Sequence, residues 1–268
     1  MRFVLHAAGI LIAYLAYSIG IRKKVTLDNL EKAYPEVQGS DRRDIARRSY
    51  YNLGIVFAEM VYLRFATKKN IARHISIDNL DLFQDELKKG KGIIVVAGHF
   101  ANWEWLALGG AICLGQHFAI VRKNIPKSFV ERFLARMRVR TGNTLIDAGD
   151  IRGMYRTLQK HGCVALLADQ AAPGESVRVP FFGREVPTFE GPARLALRTR
   201  TPLLFAECRR EENGDYLMHF YPVSYDDLVI DTSENIKELT ARHTQILEHI
   251  IRRHPDQWLW QHKRWKYA

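Results

Sequence analysis

The chain has 268 residues, 47% of them hydrophobic and 26% charged, a composition that excludes a disordered protein and supports a substantial core. Against 29 Asp and Glu stand 40 Lys and Arg, a net charge of +11 that favours nucleic acid, anionic lipid headgroups or an acidic protein as partners. Cys113, Cys163 and Cys208 stand apart in apolar surroundings with no C-x-x-C, which excludes a disulfide framework or thiolate metal site and fits a reducing compartment.

From Phe3 to Ile21 the amino end is apolar apart from His6, and as a helix it would reach roughly 28 Å, close to the ~30 Å hydrocarbon core of a bilayer. Arg22, Lys23 and Lys24 follow at once, which would keep the remaining chain on the cytoplasmic side. The expectation is a membrane anchor over residues 1–24, spanning or interfacial, and a single α/β domain over 25–268. The competing reading is an amphipathic helix packed on that domain. A cleaved signal peptide would need a small-x-small site before the basic cluster, and none is convincing.

Residues 26–34 read as a short helix stopped by Pro35, and Gly39-Ser40-Asp41 opens a long helical pattern running past Leu63. Another helix, 78–89, ends at Gly90. From Ile93 the pattern alternates: strands at 93–96, 118–122, near Leu145 and at 164–168 are separated by helices at 103–113, 127–140 and 150–161. A helix at 191–199 precedes a strand at 203–208, and Asn213-Gly214-Asp215 forms a hairpin turn into a strand at 216–221. A last helix, 233–253, is stopped by Pro255. This order implies a mixed, mainly parallel central sheet flanked by helices, with one antiparallel excursion.

The most informative stretch runs from Ile93 to Trp105: a buried strand, Gly98-His99, then Asn102 as N-cap of the next helix. On one continuous helix Glu104 would be turned about 140° from His99. The two can meet only if His99 sits on the turn leaving the strand, which Gly98 permits. Ligands in open α/β sheets bind just beyond the carboxyl ends of strands. There, an imidazole supported by a carboxylate could take a proton from a hydroxyl, the alternative being a structural histidine. Asp169 closes the 164–168 strand and opens on the same edge unless it only caps a turn, and a long Gly/Pro-containing loop, 170–188, follows it.

Arg136, Arg138 and Arg140 fall in a helical last turn, where they complement the dipole. Arg122, just past its strand, either meets an anionic group or is solvated. Val179-Pro180-Phe181-Phe182-Gly183 either folds under the domain or forms a lipid-facing rim. The tail, with Trp258, Trp260, Trp265 and Tyr267 among Lys263, Arg264 and Lys266, suits a bilayer interface or packs on the core as a terminal strand. A G-x-S-x-G elbow, a phosphate loop and a G-x-G-x-x-G are absent. His243, His249 and His254 are spaced by six and five rather than four, so no metal site is expected.

Gly98-His99-Phe100-Ala101-Asn102-Trp103-Glu104 resembles the H-x4-D/E block of the glycerolipid acyltransferase superfamily, and more narrowly that of the bacterial lipid A late acyltransferases, the lauroyl and myristoyl transferases. Arg138-Val139-Arg140-Thr141-Gly142-Asn143, Ala168-Asp169-Gln170, Val179 to Gly183 and Pro255 to Trp260 resemble the same family in the same order. The resemblance implies transfer of an acyl chain from an acyl carrier protein thioester to a lipid A precursor, at the cytoplasmic face of the bacterial inner membrane. His99 would be the general base supported by Glu104, Arg138 an oxyanion donor, and Asp169 a catalytic-site group positioning Arg138 or substrate. Arg122, Asn102, Arg140 and Gln170 are the substrate-binding candidates. No cofactor is expected beyond acyl carrier protein or acyl-CoA as co-substrate. Within the same chemistry, the alternative is an acyl-CoA-dependent transferase acting on another phospholipid or glycolipid. From a different class, it is a non-catalytic basic protein binding membrane or nucleic acid, although nucleic acid is not the expected partner.

Overall fold

The structure, a computed structural model, describes residues 2–123, 128–172 and 176–267. Helices α1 (Arg2–Ser18), α2 (Lys23–Ala33), α3 (Gly39–Phe65) and the short α4 (Lys68–Ala72) lead into strand β1 (Ile75–Ile77) and helix α5 (Leu80–Lys88). Then β2 (Ile93–Ala97), α6 (Trp103–Cys113), β3 (Phe118–Arg122), α7 (Phe129–Arg138), β4 (Thr144–Asp147), α8 (Ile151–Gln159) and β5 (Cys163–Leu167) alternate. A hairpin of β6 (Arg178–Phe181) and β7 (Arg184–Pro187) precedes α9 (Gly191–Thr199), β8 (Leu203–Arg210), β9 (Tyr216–Pro222) and α10 (Ser233–Arg253).

Every residue of β2 is buried, as its unbroken apolar run requires of a strand covered on both faces. It is the middle strand of seven in the order β1-β9-β8-β2-β5-β3-β4. The pairings from β8 through β4 are parallel, β9 runs antiparallel to β8, and β1 joins β9 in parallel. The chain moves one way across the sheet from β2 through α6 to β3, and the other way from β4 through α8 to β5. Right-handed crossovers of opposite direction put α6 and α8 on opposite faces. The reversal falls between β2 and β5, the place where open α/β sheets form ligand crevices.

The expected α/β sandwich is therefore present, with local differences. Strand β1 is only three residues long, too short to leave a period in the sequence. The helix expected at 127–140 runs from Phe129, capped by the Ser128 side chain, to Arg138, and tightens into a 3-10 turn over Val139–Thr141. Lys127 lies outside the described residues. The apolar loop folds under the domain, because Val179 and Phe181 are fully buried in the β6–β7 hairpin against α10. The tail packs on the core, but as a 3-10 turn and further turns with one isolated bridge instead of the terminal strand expected: Trp258, Trp260 and Trp265 are buried, Phe181 and Trp265 stack at 5.5 Å, and Trp258 bridges to Phe100.

At the amino end, α1 stops at Ser18, and no single described helix is long and apolar enough to cross a membrane. Helices α1 and α2 meet that test only jointly and are bent by 86°. Helix α1 packs along α3 where Gly9 faces Gly54, so closely that a Cβ on either would overlap the other's backbone carbonyl. Its outer face carries Phe3, Val4, Leu11, Ile12 and Leu15, all exposed.

Candidate active site

Neighbouring strands lie about 4.8 Å apart, so residues at equal offsets beyond paired positions come together. Ala97 pairs with Leu167, and the ladder continues from the Ala168 amide to the Ala97 carbonyl at 3.1 Å. Two residues further on, His99 stands opposite Asp169. The His99 amide donates to Asp169 Oδ2 at 2.7 Å, and His99 Nδ1 lies 2.7 Å from Oδ1. The indole Nε1–H of Trp258 donates to Oδ2 at 2.9 Å.

Gly98 makes this approach possible through its size. A Cβ there would lie 3.2 Å from Asp169 Oδ2 and 2.8 Å from Leu247 Cδ1. The left-handed residue of the turn is instead Ala101, with φ of 43°. It is held there by the carboxyl-terminal tail: the Ala101 amide donates to the Gln257 carbonyl at 2.7 Å, and the Leu259 amide to the His99 carbonyl at 3.1 Å.

Burial by itself would raise the pKa of Asp169, but the charge of His99 and the hydrogen bonds from His99 and Trp258 outweigh it and hold the carboxyl at about 2. An ionised carboxylate accepts only, so it selects the imidazole tautomer with the proton on Nδ1 and leaves Nε2 as an acceptor. Nε2 lies 3.4 Å from Gln170 Nε2, and the Trp103 ring stands edge-on to the imidazole at 4.9 Å.

The expected His99–Glu104 pairing is not made. Arg138 Nε donates to Glu104 Oε2 at 2.9 Å, and its Nη2 donates to Oε1, a two-pronged ion pair. Nor does Asp169 position Arg138. The two carboxylates have exchanged partners for a geometric reason. Asn102 caps α6 by accepting from the Glu104 and Trp105 amides, so Glu104 sits on the first turn of a helix that packs beside α7. The imidazole, still on the turn before that helix, faces β5. Burial would lower the pKa of Arg138, but the Glu104 charge and hydrogen bonds override it and raise the value.

His99, Trp103, Glu104, Arg138 and Gln170 border one cavity of about 520 Å³ whose deeper walls are apolar. Arg122 also borders it, paired with Glu131 at 2.6 Å and 3.8 Å from Asp147. Two substrate-binding candidates lie outside the lining. Asn102 is fully buried as the α6 cap, and Arg140 donates to the Leu63 and Ala66 carbonyls at 2.7 and 3.1 Å, closing the end of α3. In the 170–188 loop, residues 173–175 lie outside the described residues. Among the described residues, no three His, Cys, Asp or Glu side chains form a metal-binding cluster.

Two supporting residues were not singled out from the sequence. Trp258 stands in the aromatic tail and within the family-like stretch Pro255 to Trp260, with no site role signalled there. Glu59 occupies an apolar-face position of α3 and accepts from Asn102 at 2.9 Å, Trp105 at 3.0 Å, the Tyr216 hydroxyl, and Arg2 at 2.9 Å, with His6 at 2.8 Å. Burial would raise its pKa, yet His6, Arg2 and Tyr216 together lower it. A lone acid in an apolar helical stripe was the available signal, since such a charge requires buried partners.

A buried carboxylate thus orients an imidazole at the edge of an apolar cavity, at the reversal point of a mainly parallel sheet. The chain belongs to the bacterial lipid A biosynthesis acyltransferase family, whose model matches residues 1–267. It is 26% identical over 249 residues to the lipid A biosynthesis palmitoleoyltransferase of Escherichia coli (strain K12), covering 91% of this chain and 79% of that one. To the lauroyltransferase of the same organism it is 25% identical over 251 residues, with the same coverage. It is also similar to a phosphatidylinositol mannoside acyltransferase of Mycobacterium tuberculosis, at 24% over 217 residues, 78% of this chain and 66% of that one. The protein is an acyltransferase, and its substrates are an acyl donor and a lipid acceptor.

Because the Asp169 pKa lies below its ordinary 3.8, its ionised form stabilises the fold above about pH 4, and that contribution is lost as pH falls towards 2. The amount is about 2 kcal/mol. Asp169→Asn should flatten acid unfolding in this window, measured as denaturation free energy against pH; an unaltered slope would show that the carboxylate is not held this way.

Proposed function

We propose that the enzyme transfers a fatty acyl chain from an acyl carrier protein thioester to a hydroxyl of a lipid A precursor. The observation that carries this reading is the His99–Asp169 pair, which leaves Nε2 as an acceptor at the cavity, where Gln170 Nε2 lies 3.4 Å away. In the proposed step Nε2 removes the acceptor hydroxyl proton while Asp169 stabilises the imidazolium. The oxygen attacks the thioester carbonyl, and Arg138, steadied by Glu104, donates to the oxyanion together with backbone amides near His99. Collapse breaks the carbon–sulfur bond, and the imidazolium returns the proton to the leaving thiolate. The chemistry calls for no metal and no cofactor beyond the acyl donor.

The net charge of +11 suits an acidic carrier protein. The exposed apolar face of α1, followed by Arg22, Lys23 and Lys24, suits a helix lying in the interface on the cytoplasmic side of the inner membrane, with residues 1–24 as anchor and 25–268 as the catalytic unit. A second reading keeps the chemistry with acyl-CoA as donor and another glycolipid as acceptor, and the similarity to phosphatidylinositol mannoside acyltransferases supports its acceptor half alone.

Acceptor-dependent release of free thiol from acyl carrier protein tests the reaction. His99→Ala should lower its rate by about 10²–10⁴-fold and Asp169→Asn should follow, with the fold retained; a near-normal rate in His99→Ala would reject it as base. Replacing Leu11, Ile12 and Leu15 together by Glu should leave the fold intact and abolish co-sedimentation with anionic vesicles. Undiminished binding would place the membrane contact elsewhere.

A further inference from the structure

Beside Asp169 lies a second cavity of about 10 Å³, room for a single water molecule, between β2, β8, α10 and the carboxyl-terminal tail. Val96, Phe205 and Leu247 supply apolar walls, and Asp169, His243 and Arg264 supply polar ones. A purely apolar cavity stays dry, whereas unpaired polar groups on its walls draw in water. Two such groups are present here. His243 and Arg264 are both buried, and His243 Nε2 and Arg264 Nε have no hydrogen-bond partner among the described residues. The other two guanidinium nitrogens of Arg264 are engaged elsewhere, donating to the Pro187 carbonyl at 2.7 Å and to Thr188 Oγ1 at 2.6 Å. Thr244, the remaining polar wall residue, donates its hydroxyl to the Thr240 carbonyl at 2.7 Å.

The charges point the same way. Arg264 forms no direct ion pair with a described carboxylate, and Asp169 is the acid whose charge acts on it. Burial lowers the Arg264 pKa to about 10 against that attraction. A buried cation so placed is costly unless a polar group relays it to its counter-charge. Asp169 has the capacity. A carboxylate offers about four acceptor positions, and the His99 amide and Trp258 occupy Oδ2 while His99 Nδ1 alone occupies Oδ1. Burial and the Arg264 charge hold the His243 pKa down at about 4, so this ring is neutral at about pH 7. In either tautomer its Nε2 can bond a water, as acceptor or as donor.

We propose that this cavity binds one water molecule, which accepts from Arg264 Nε, bonds His243 Nε2 and donates to Asp169 Oδ1. About three hydrogen bonds is the usual complement of a buried water. The last acceptor position of Asp169 is thereby filled, and α10 and the tail together fix the plane of the carboxylate that orients His99. His243 and Arg264 are then positioning residues, acting on His99 through Asp169. The water site stands on the cavity and its walls, whereas its consequence for turnover rests on the acyl-transfer reading above.

A high-resolution crystal structure of the full chain reads the site itself. One water within about 3.2 Å of Asp169 Oδ1, His243 Nε2 and Arg264 Nε is expected. A cavity without solvent density, or Arg264 in direct contact with Asp169, would overturn the proposal. His243→Leu should expel the water, and the His99 Nδ1 proton should then resonate further downfield in NMR, because the Asp169 charge is shared among fewer donors. With it kcat should fall about three- to tenfold, the equivalent of one hydrogen bond, with both KM values in place. His243→Gln, whose amide reaches the same water, should restore signal and rate. Arg264→Lys keeps the charge and loses Nε, and should displace the signal in the same direction, so the positioning role is still read if His243→Leu fails to fold. A His99 signal unmoved in both His243→Leu and Arg264→Lys would overturn that role. Wild-type protein that transfers nothing would instead reject the function, while the density and the NMR signal would still decide the water.

Discussion

A carboxylate buried away from water is costly unless donors surround it, and Asp169 is supplied with three: the His99 amide, His99 Nδ1 and Trp258 Nε1. Each comes from a different part of the chain's logic. The first two require β2 beside β5 in the observed register, and Gly98 without a Cβ in the way. The third requires the tail to fold back over the turn, where it also holds Ala101 in a left-handed conformation. Strand order, glycine placement and the carboxyl terminus are thereby made to agree on the direction of one imidazole.

Two further buried carboxylates extend the pattern. Glu104 fixes Arg138 at the cavity wall, and Glu59 joins α1, α3, α6 and β9 through Arg2, Asn102, Trp105 and Tyr216. Asn102 belongs to both circuits, since it caps the helix that carries Glu104 and also donates to Glu59. The amino-terminal helix is therefore tied to the helix that carries Glu104 by hydrogen bonds through Glu59, as well as by its glycine contact with α3. Removing one partner from such a network leaves a charge without compensation, which costs far more than the pair itself contributes.

The layered α/β architecture, and His99 at the carboxyl edge of its strand, could be read from the sequence because apolar runs, glycines and caps are local signals. The partner of His99 could not. Glu104 is five residues away and Asp169 seventy, and only the order of strands in the sheet, which the sequence does not print, makes the distant residue the neighbour. The same limit explains the tail. Its tryptophans fit a bilayer interface or a core equally well by composition, and the hydrogen bond of Trp258 to Asp169 decides the matter through a contact across 89 residues. Arg140 shows the same limit from the other side: it stands beside a site candidate in sequence, and in space it donates to carbonyls at the end of α3.

Nitrogen-edited NMR of the His99 ring tests the central pairing most directly. The expected result is a ring proton on Nδ1 whose signal is displaced by a short hydrogen bond, lost in Asp169→Asn and kept in Glu104→Gln. A signal that survives Asp169→Asn and vanishes in Glu104→Gln would mean that the imidazole is held by the other carboxylate.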